Sequence, residues 1–191
     1  MSNELNLIFL MRTFFALDLP AQSKLNLDTW RTKALPPAKG DIPMTNFHIT
    51  LCFNGETSES QLDKLQKLVD ELAFYEFEIQ LDNFGYFQKP GIAFVGCSAI
   101  PNTLLQLNEK LTAISQRLSL GVAHQTFTPH VSVFRKMPMP PPAPLFAPDI
   151  TFKANKFGLY ESIKHKHGVV YRAIFEWELE RRIHPGKRGR D

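Results

Sequence analysis

Two short segments constrain this chain more than anything else in it. His48-Ile49-Thr50-Leu51 and His130-Val131-Ser132-Val133 share one pattern: an imidazole, an apolar residue, a hydroxyl, an apolar residue. Each lies in an alternating stretch, Phe47 to Phe53 and Thr128 to Phe134. Period-two alternation marks a strand that buries one face. Phe47, Ile49, Leu51 and Phe53, with Val131 and Val133, are therefore expected in the core. His48, Thr50, His130 and Ser132 are expected on the opposite faces, each histidine about 7 Å along its strand from its hydroxyl. The two histidines are 82 residues apart, near the centres of two halves. If the halves face each other, one cleft holds two imidazoles and two hydroxyls.

The remaining chain supplies a scaffold for such strands. Its 191 residues suit one globular unit or two closely packed lobes. An apolar share of 43%, with 16 phenylalanines, is enough for a sizeable core. A strand is expected over Thr13–Leu19, stopped by Pro20, which also suits a helix start. Leu25, Leu27 and Trp30 then predict an amphipathic helix from Ala21 to about Ala34. After a loop over Pro36–Gly40 and the first motif, Ser58-Glu59-Ser60-Gln61 has the form of a capping box. The helix it opens runs to about Ala73 on a stripe of Leu62, Leu65, Leu68, Val69 and Leu72. Strands are expected near Phe77–Leu81 and Ile92–Cys97. A long helix from Pro101 to about Leu120 carries Leu104, Leu107, Leu111, Ile114 and Leu118 on one side, and Gly121 ends it. After the second motif, Met137–Pro144 is a proline-rich surface loop, followed by strands near Ile150–Lys153, Phe157–Tyr160 and Val169–Glu178. Strands and helices mix without strict βαβ alternation, so the fold class is α+β with mainly antiparallel sheets.

Paired imidazole–hydroxyl strands suit phosphodiester hydrolysis without a metal. One histidine can take a proton from water while the other gives one to the departing oxygen, since an imidazole with a pKa of about 6.5 serves both tasks. The hydroxyls can donate to the non-bridging oxygens. A single such motif is more often structural; two matched ones argue for chemistry. No metal site is expected, because neither motif has a further His, Cys or carboxylate at chelating spacing. His124 approaches the second motif in a loop, His165 and His167 flank lysines in what reads as an exposed turn, and His184 lies in the basic tail. Cys52 and Cys97 sit in apolar runs without redox or zinc spacing, so buried free thiols in a reducing cytoplasm are expected.

These residues resemble the 2H phosphoesterase superfamily, specifically the bacterial RNA 2′,3′-cyclic phosphodiesterases, also called 2′-5′ RNA ligases. The resemblance runs from Arg12 onward. It rests on Phe14-Phe15-Ala16-Leu17-Asp18-Leu19-Pro20, Asn46 to Leu51 with Phe53-Asn54-Gly55-Glu56, Phe127 to Val133, and Leu159-Tyr160-Glu161-Ser162. It implies a bilobal, pseudo-duplicated α+β fold with two antiparallel sheets facing across a cleft and helices outside. It also implies hydrolysis of a terminal 2′,3′-cyclic phosphate to a 2′-phosphate, with His48 as proton donor and His130 as proton acceptor and no cofactor. Ser132 stands where threonine is commoner, and the hydroxyl is kept. Arg135 matches a basic position of the family, although strict alternation would turn it away from His130 unless the strand bulges or ends.

Residues 11–191 are accordingly expected to form one bilobal domain, with 1–10 as an N-terminal extension and Met11 as an alternative start. The first ten residues suit neither a signal peptide nor a membrane span. A cytoplasmic monomer acting on RNA ends or small cyclic nucleotides is expected, with reverse ligation open to it. A net charge of +3 does not itself indicate nucleic acid. The basic segment 181–190 is a frayed tail before it is a polyanion lure. Phe14 and Tyr160 are candidates for stacking on a terminal base, though core roles suit them better. The rival to an enzyme is an RNA-end-binding protein whose histidines only grip phosphate; both need the same cleft, and only the enzyme turns substrate over.

Overall fold

The computed structural model describes residues 10–121, 126–166 and 168–181. Among them the order is β1 (Leu10–Asp18), α1 (Ala21–Ala34), β2 (His48–Ser58), α2 (Glu59–Asp70), β3 (Phe77–Leu81), β4 (Asn83–Phe87), β5 (Ile92–Gly96), α3 (Asn102–Arg117), β6 (His130–Phe134), β7 (Ile150–Ala154), β8 (Lys156–His165) and β9 (Gly168–Glu178). Every strand pair is antiparallel. One sheet runs β2-β1-β8-β9, another β4-β5-β6, and β3 pairs with β7 in a two-stranded ribbon. The fold is α+β, as expected.

The two halves repeat a unit of strand, helix and motif strand: β1-α1-β2 and β5-α3-β6. In each unit the two strands pair directly. Each helix, however, packs beneath the other half's strands. α1 lies against β7 and sets Trp30 on Phe84 of β4, ring centroids 5.7 Å apart, while α3 lies against β2. The exchange ties the lobes into one core, in which Phe15, Phe47, Ile49, Leu107, Val131 and Val133 are fully buried. Burying side chains of this size contributes about 1.5–3 kcal/mol each.

The capping box forms: the Ser58 backbone N–H donates to Gln61 Oε1 at 3.0 Å, and the Gln61 N–H donates to Ser58 Oγ at 3.4 Å. α1 departs from its expected stripe. Leu25 is half exposed, and the buried line is Ser23, Leu27, Trp30 and Ala34. The proline-rich loop is surface chain pinned to α1, where Trp30 Nε1 donates to Phe146 O and Leu145 N to Ala34 O. β4 gave no sequence signal because four of its five residues are half-buried, so it shows no alternation. Its Gly85 is required where it stands, since a Cβ there would lie 2.4 Å from the ring of Phe94. Cys52 and Cys97 are free; the first is buried and the second only half-buried. Among the described residues no helix is long and apolar enough to cross a membrane.

Candidate active site

Both motif strands begin as alternation requires. Ile49 and Val131 are fully buried, and His48, Thr50, His130 and Ser132 stand half-buried on the other faces. Then both strands bulge. In β2 the pairing steps from Ala16↔Thr50 to Phe15↔Cys52, which leaves Leu51 as the extra residue. In β6 it steps from Phe94↔Ser132 to Ala93↔Phe134, which leaves Val133 as the extra one. Each bulge falls three residues after its histidine, and each makes two successive residues point inward: Leu51 with Cys52, and Val133 with Phe134. A bulge shifts the alternation by one place. The residue five after each histidine therefore returns to the cleft face.

That shift corrects one expectation and supplies what another lacked. Phe53 was expected in the core and is 52% exposed, with its ring 6.1 Å from Phe14. Arg135 needed a bulge to turn toward the histidines. It has one, and its guanidinium donates to Tyr171 Oη at 3.5 Å while lowering the pKa of His48.

The two imidazoles are held alike. His48 Nδ1 lies 2.7 Å from Asn46 O, and His130 Nδ1 lies 2.7 Å from Thr128 O. A carbonyl can only accept, so Nδ1 carries the proton in both rings and Nε2 is left with its lone pair. Thr50 Oγ1 is 3.1 Å from His48 Nε2 and donates to it in this tautomer. His48 is walled by Phe14 at 5.2 Å and by Tyr171 at 4.8 Å, edge-on. His130 is walled by Phe87 at 5.0 Å and Phe94 at 5.2 Å.

Burial lowers both pKa values. His48 is brought to about 4, first by desolvation; the bond to Asn46 O opposes the shift, and His130 and Arg135 add to it against Asp18. His130 is also lowered by desolvation, opposed by Thr128 O. Both rings are therefore neutral near pH 7 in the empty cleft. β2 and β6 are in contact across the lobes, and the charge of His130 reaches His48.

Beside His48 a cavity of about 240 Å³ opens toward β1 and β9, lined among others by Phe14, Asp18, Asn46, Tyr160, Tyr171 and Glu176. Phe14 is buried beneath it, stacked on Tyr160 at 5.8 Å. Tyr160 is the half-buried ring that faces it. Burial and the nearby Asp18 and Glu176 carboxylates push its phenol pKa up, so it stays protonated. Asp18 pairs with Lys24 at 2.6 Å and Glu176 with Lys156 at 2.7 Å. Tyr171, Asp18 and Glu176 were not singled out from sequence. Tyr171 had a signal, since it sits inside an expected strand, but nothing said which sheet that strand would join. His165 is exposed at the end of β8. His124, His167 and His184 lie outside the described residues. Among those described, no group of three or more His, Cys, Asp or Glu could hold a metal ion.

The two motif strands, in contact across the lobes, each present an imidazole and a hydroxyl, and the charge of Arg135 reaches His48. Residues 17–94 match the family model described as LigT like Phosphoesterase. The chain is 28% identical over 173 residues to the RNA 2′,3′-cyclic phosphodiesterase of Escherichia coli, covering 88% of this chain and 96% of that protein. It is 29% identical to the enzyme of the same name from Thermus thermophilus, covering 95% and 94%. The crystal structure of E. coli LigT complexed with 3′-AMP superposes with a TM-score of 0.81 at 28% identity, covering 90% of this chain and 99% of that one. The chain is thus similar to LigT-like phosphoesterases along most of its length.

Proposed function

We propose that this protein is an RNA 2′,3′-cyclic phosphodiesterase that hydrolyses a terminal cyclic phosphate to a 2′-phosphate by metal-independent acid–base catalysis. His48 donates a proton to the departing O3′, and His130 accepts one from the attacking water. Thr50 and Ser132 donate to the non-bridging oxygens, and Arg135 offsets the phosphate charge. The observation that carries this is the matched fixing of the imidazoles: each Nδ1–H is tied to a carbonyl two residues upstream, which leaves each Nε2 with its lone pair for proton transfer, that of His48 accepting from Thr50 in the empty cleft. The names of relatives matched over most of their length, RNA 2′,3′-cyclic phosphodiesterase, agree with the cyclic phosphodiesterase activity. The assignment of donor and acceptor rests on family resemblance.

A donor with a pKa of about 4 needs help to be protonated near neutrality. The substrate provides it. A phosphodiester anion beside His48 favours the imidazolium, opposing the desolvation that lowers the pKa of the empty site. In-line geometry puts the ribose on the side of the leaving oxygen, and so on the side of His48. The cavity there is of a size for the terminal sugar and base, with the half-buried Tyr160 as its aromatic wall. Residues 11–191 act as one bilobal unit, as a monomer, on RNA ends or small cyclic nucleotides. Ligation of a 2′-phosphate to a 5′-hydroxyl end would be the same chemistry reversed.

The test is 2′,3′-cyclic AMP hydrolysis in excess chelator, with the product identified by phosphorus NMR. Turnover to 2′-AMP is expected. A 3′-phosphate product would overturn the choice of bond. Binding without turnover would leave an RNA-end-binding protein.

A further inference from the structure

The two bulges have a feature in common beyond their position. Each extra residue turns its carbonyl toward the helix beneath it, and each carbonyl is held by a side chain of that helix. Asn108 of α3 donates Nδ2–H to Leu51 O at 2.6 Å. Arg31 of α1 donates Nη1–H to Val133 O at 3.0 Å and to Ile42 O at 2.8 Å. The exchange of helices between lobes places both donors: α1 reaches β6 and α3 reaches β2.

Arg31 does more than close one hydrogen bond. Its side chain is 11% exposed and paired with Asp28. Its guanidinium carbon lies 5.4 Å from the ring centre of Phe47 and 5.5 Å from that of Phe134. Phe47 directly precedes His48, and Phe134 directly precedes Arg135. One group therefore touches the backbone or side-chain neighbours of both motif strands. Val133 O also accepts from Ile42 N at 3.1 Å, and Arg135 N donates to Gly40 O at 2.8 Å. Gly40 must be glycine, with φ at +89° and only 2.0 Å between an added Cβ and Arg135 O. The segment 40–42 and Arg31 thus grip the bulge from one side, and Arg135 emerges on the other.

We propose that Arg31 is a positioning residue that fixes the bulge at Val133 and thereby aims Arg135 at the phosphate bound between the histidines. This rests on the phosphodiesterase function proposed above. Lysine is not equivalent: its ammonium has donors for two carbonyls, but it lacks the planar guanidinium that lies near both rings and pairs with Asp28 at the same time. Loss of the grip lets the end of β6 relax, and a misplacement of about 1 Å in a charge-stabilising group can cost on the order of 10²-fold in rate.

A double-mutant cycle on 2′,3′-cyclic AMP hydrolysis tests this, with melting temperature followed in parallel. Arg135→Ala should lower kcat/KM about 10²-fold, as expected for one donor to a developing phosphate charge. Arg31→Lys should lower it about 10-fold. In the Arg135→Ala background the same Arg31→Lys change should have less than about a 2-fold further effect, because the group it positions is gone. An Arg31→Lys variant as active as wild type, or one whose loss multiplies fully with that of Arg135→Ala, would overturn the proposal and leave Arg31 a stabilising residue only. Should Arg31→Lys fail to fold, Asp28→Ala on the partly exposed face of α1 loosens the same guanidinium. It should show a smaller loss, again absent without Arg135; a loss that persists there counts against the proposal. Wild-type turnover in the same assay separates this outcome from failure of the phosphodiesterase function itself.

Discussion

β2 and β6 present the same backbone to the cleft and surround it differently. Each carries a histidine tied to the carbonyl two residues before it, a hydroxyl two residues after, and a bulge three residues after. Five residues after, β2 offers Phe53 and β6 offers Arg135. His48 lies between Phe14 and Tyr171, near Asp18, His130 and Arg135; His130 lies between Phe87 and Phe94. The two strands share the geometry that holds an imidazole and differ in the electrostatics around it. Under the proposed mechanism, any division into acid and base comes from the surroundings and not from the motif.

The largest way to break that comparison is to remove either imidazole. His48→Ala or His130→Ala should each lower kcat on a cyclic nucleotide by about 10²–10⁴-fold, and the double variant should be far less than multiplicatively worse if the pair acts as a unit. Steady-state rates check this. Two variants with near-normal kcat and weakened binding would show that the histidines only grip phosphate.

The bulges make a contrast in stability that alternation alone does not. Ile49→Ala should cost about 2–5 kcal/mol, since Ile49 is fully buried. Phe53→Ala, four residues along on the same expected face, should cost about 0.5 kcal/mol or less, as exposed positions do. Urea titration of both variants reads the difference, and equal costs would return Phe53 to the core. On activity, Thr50→Ala and Ser132→Ala should fall short of the histidine variants, about 10-fold each, because each removes one hydrogen bond to a spread charge.

A smaller effect sharpens the electrostatic side. His48 has its pKa lowered in the fold from 6.5 to about 4, so the unfolded chain takes up a proton there first as pH falls. Stability from keeping His48 neutral is present above about pH 6.5 and is lost progressively down to about pH 4. Melting temperature should therefore drop more between pH 7 and pH 5 in the wild type than in His48→Gln. Equal drops would mean that His48 is not buried neutral.

Much of this was legible in the sequence because period-two and helical spacing report directly on burial. The motif strands, the three helices and the capping box at Ser58 follow from it. Phe53 and Arg135 escaped strict alternation because a bulge depends on the partner strand's register, which no local pattern carries. Arg31 and Asn108 escaped for a related reason. They act on carbonyls more than 50 residues away in the chain, and only the exchange of helices between lobes brings them there. β4 was silent because a strand half-buried on both faces has no period to read.

The most direct test of the central claim is the pH dependence of kcat and kcat/KM on 2′,3′-cyclic AMP for the wild type, His48→Ala and His130→Ala. Both wild-type profiles should be bell-shaped. The basic limb of kcat should lie at higher pH than that of kcat/KM, because bound phosphate raises the pKa of His48 above its empty-site value. His48→Ala should lose the basic limb and His130→Ala the acidic one. Residual activity that keeps both limbs in either variant would contradict acid–base catalysis by this pair.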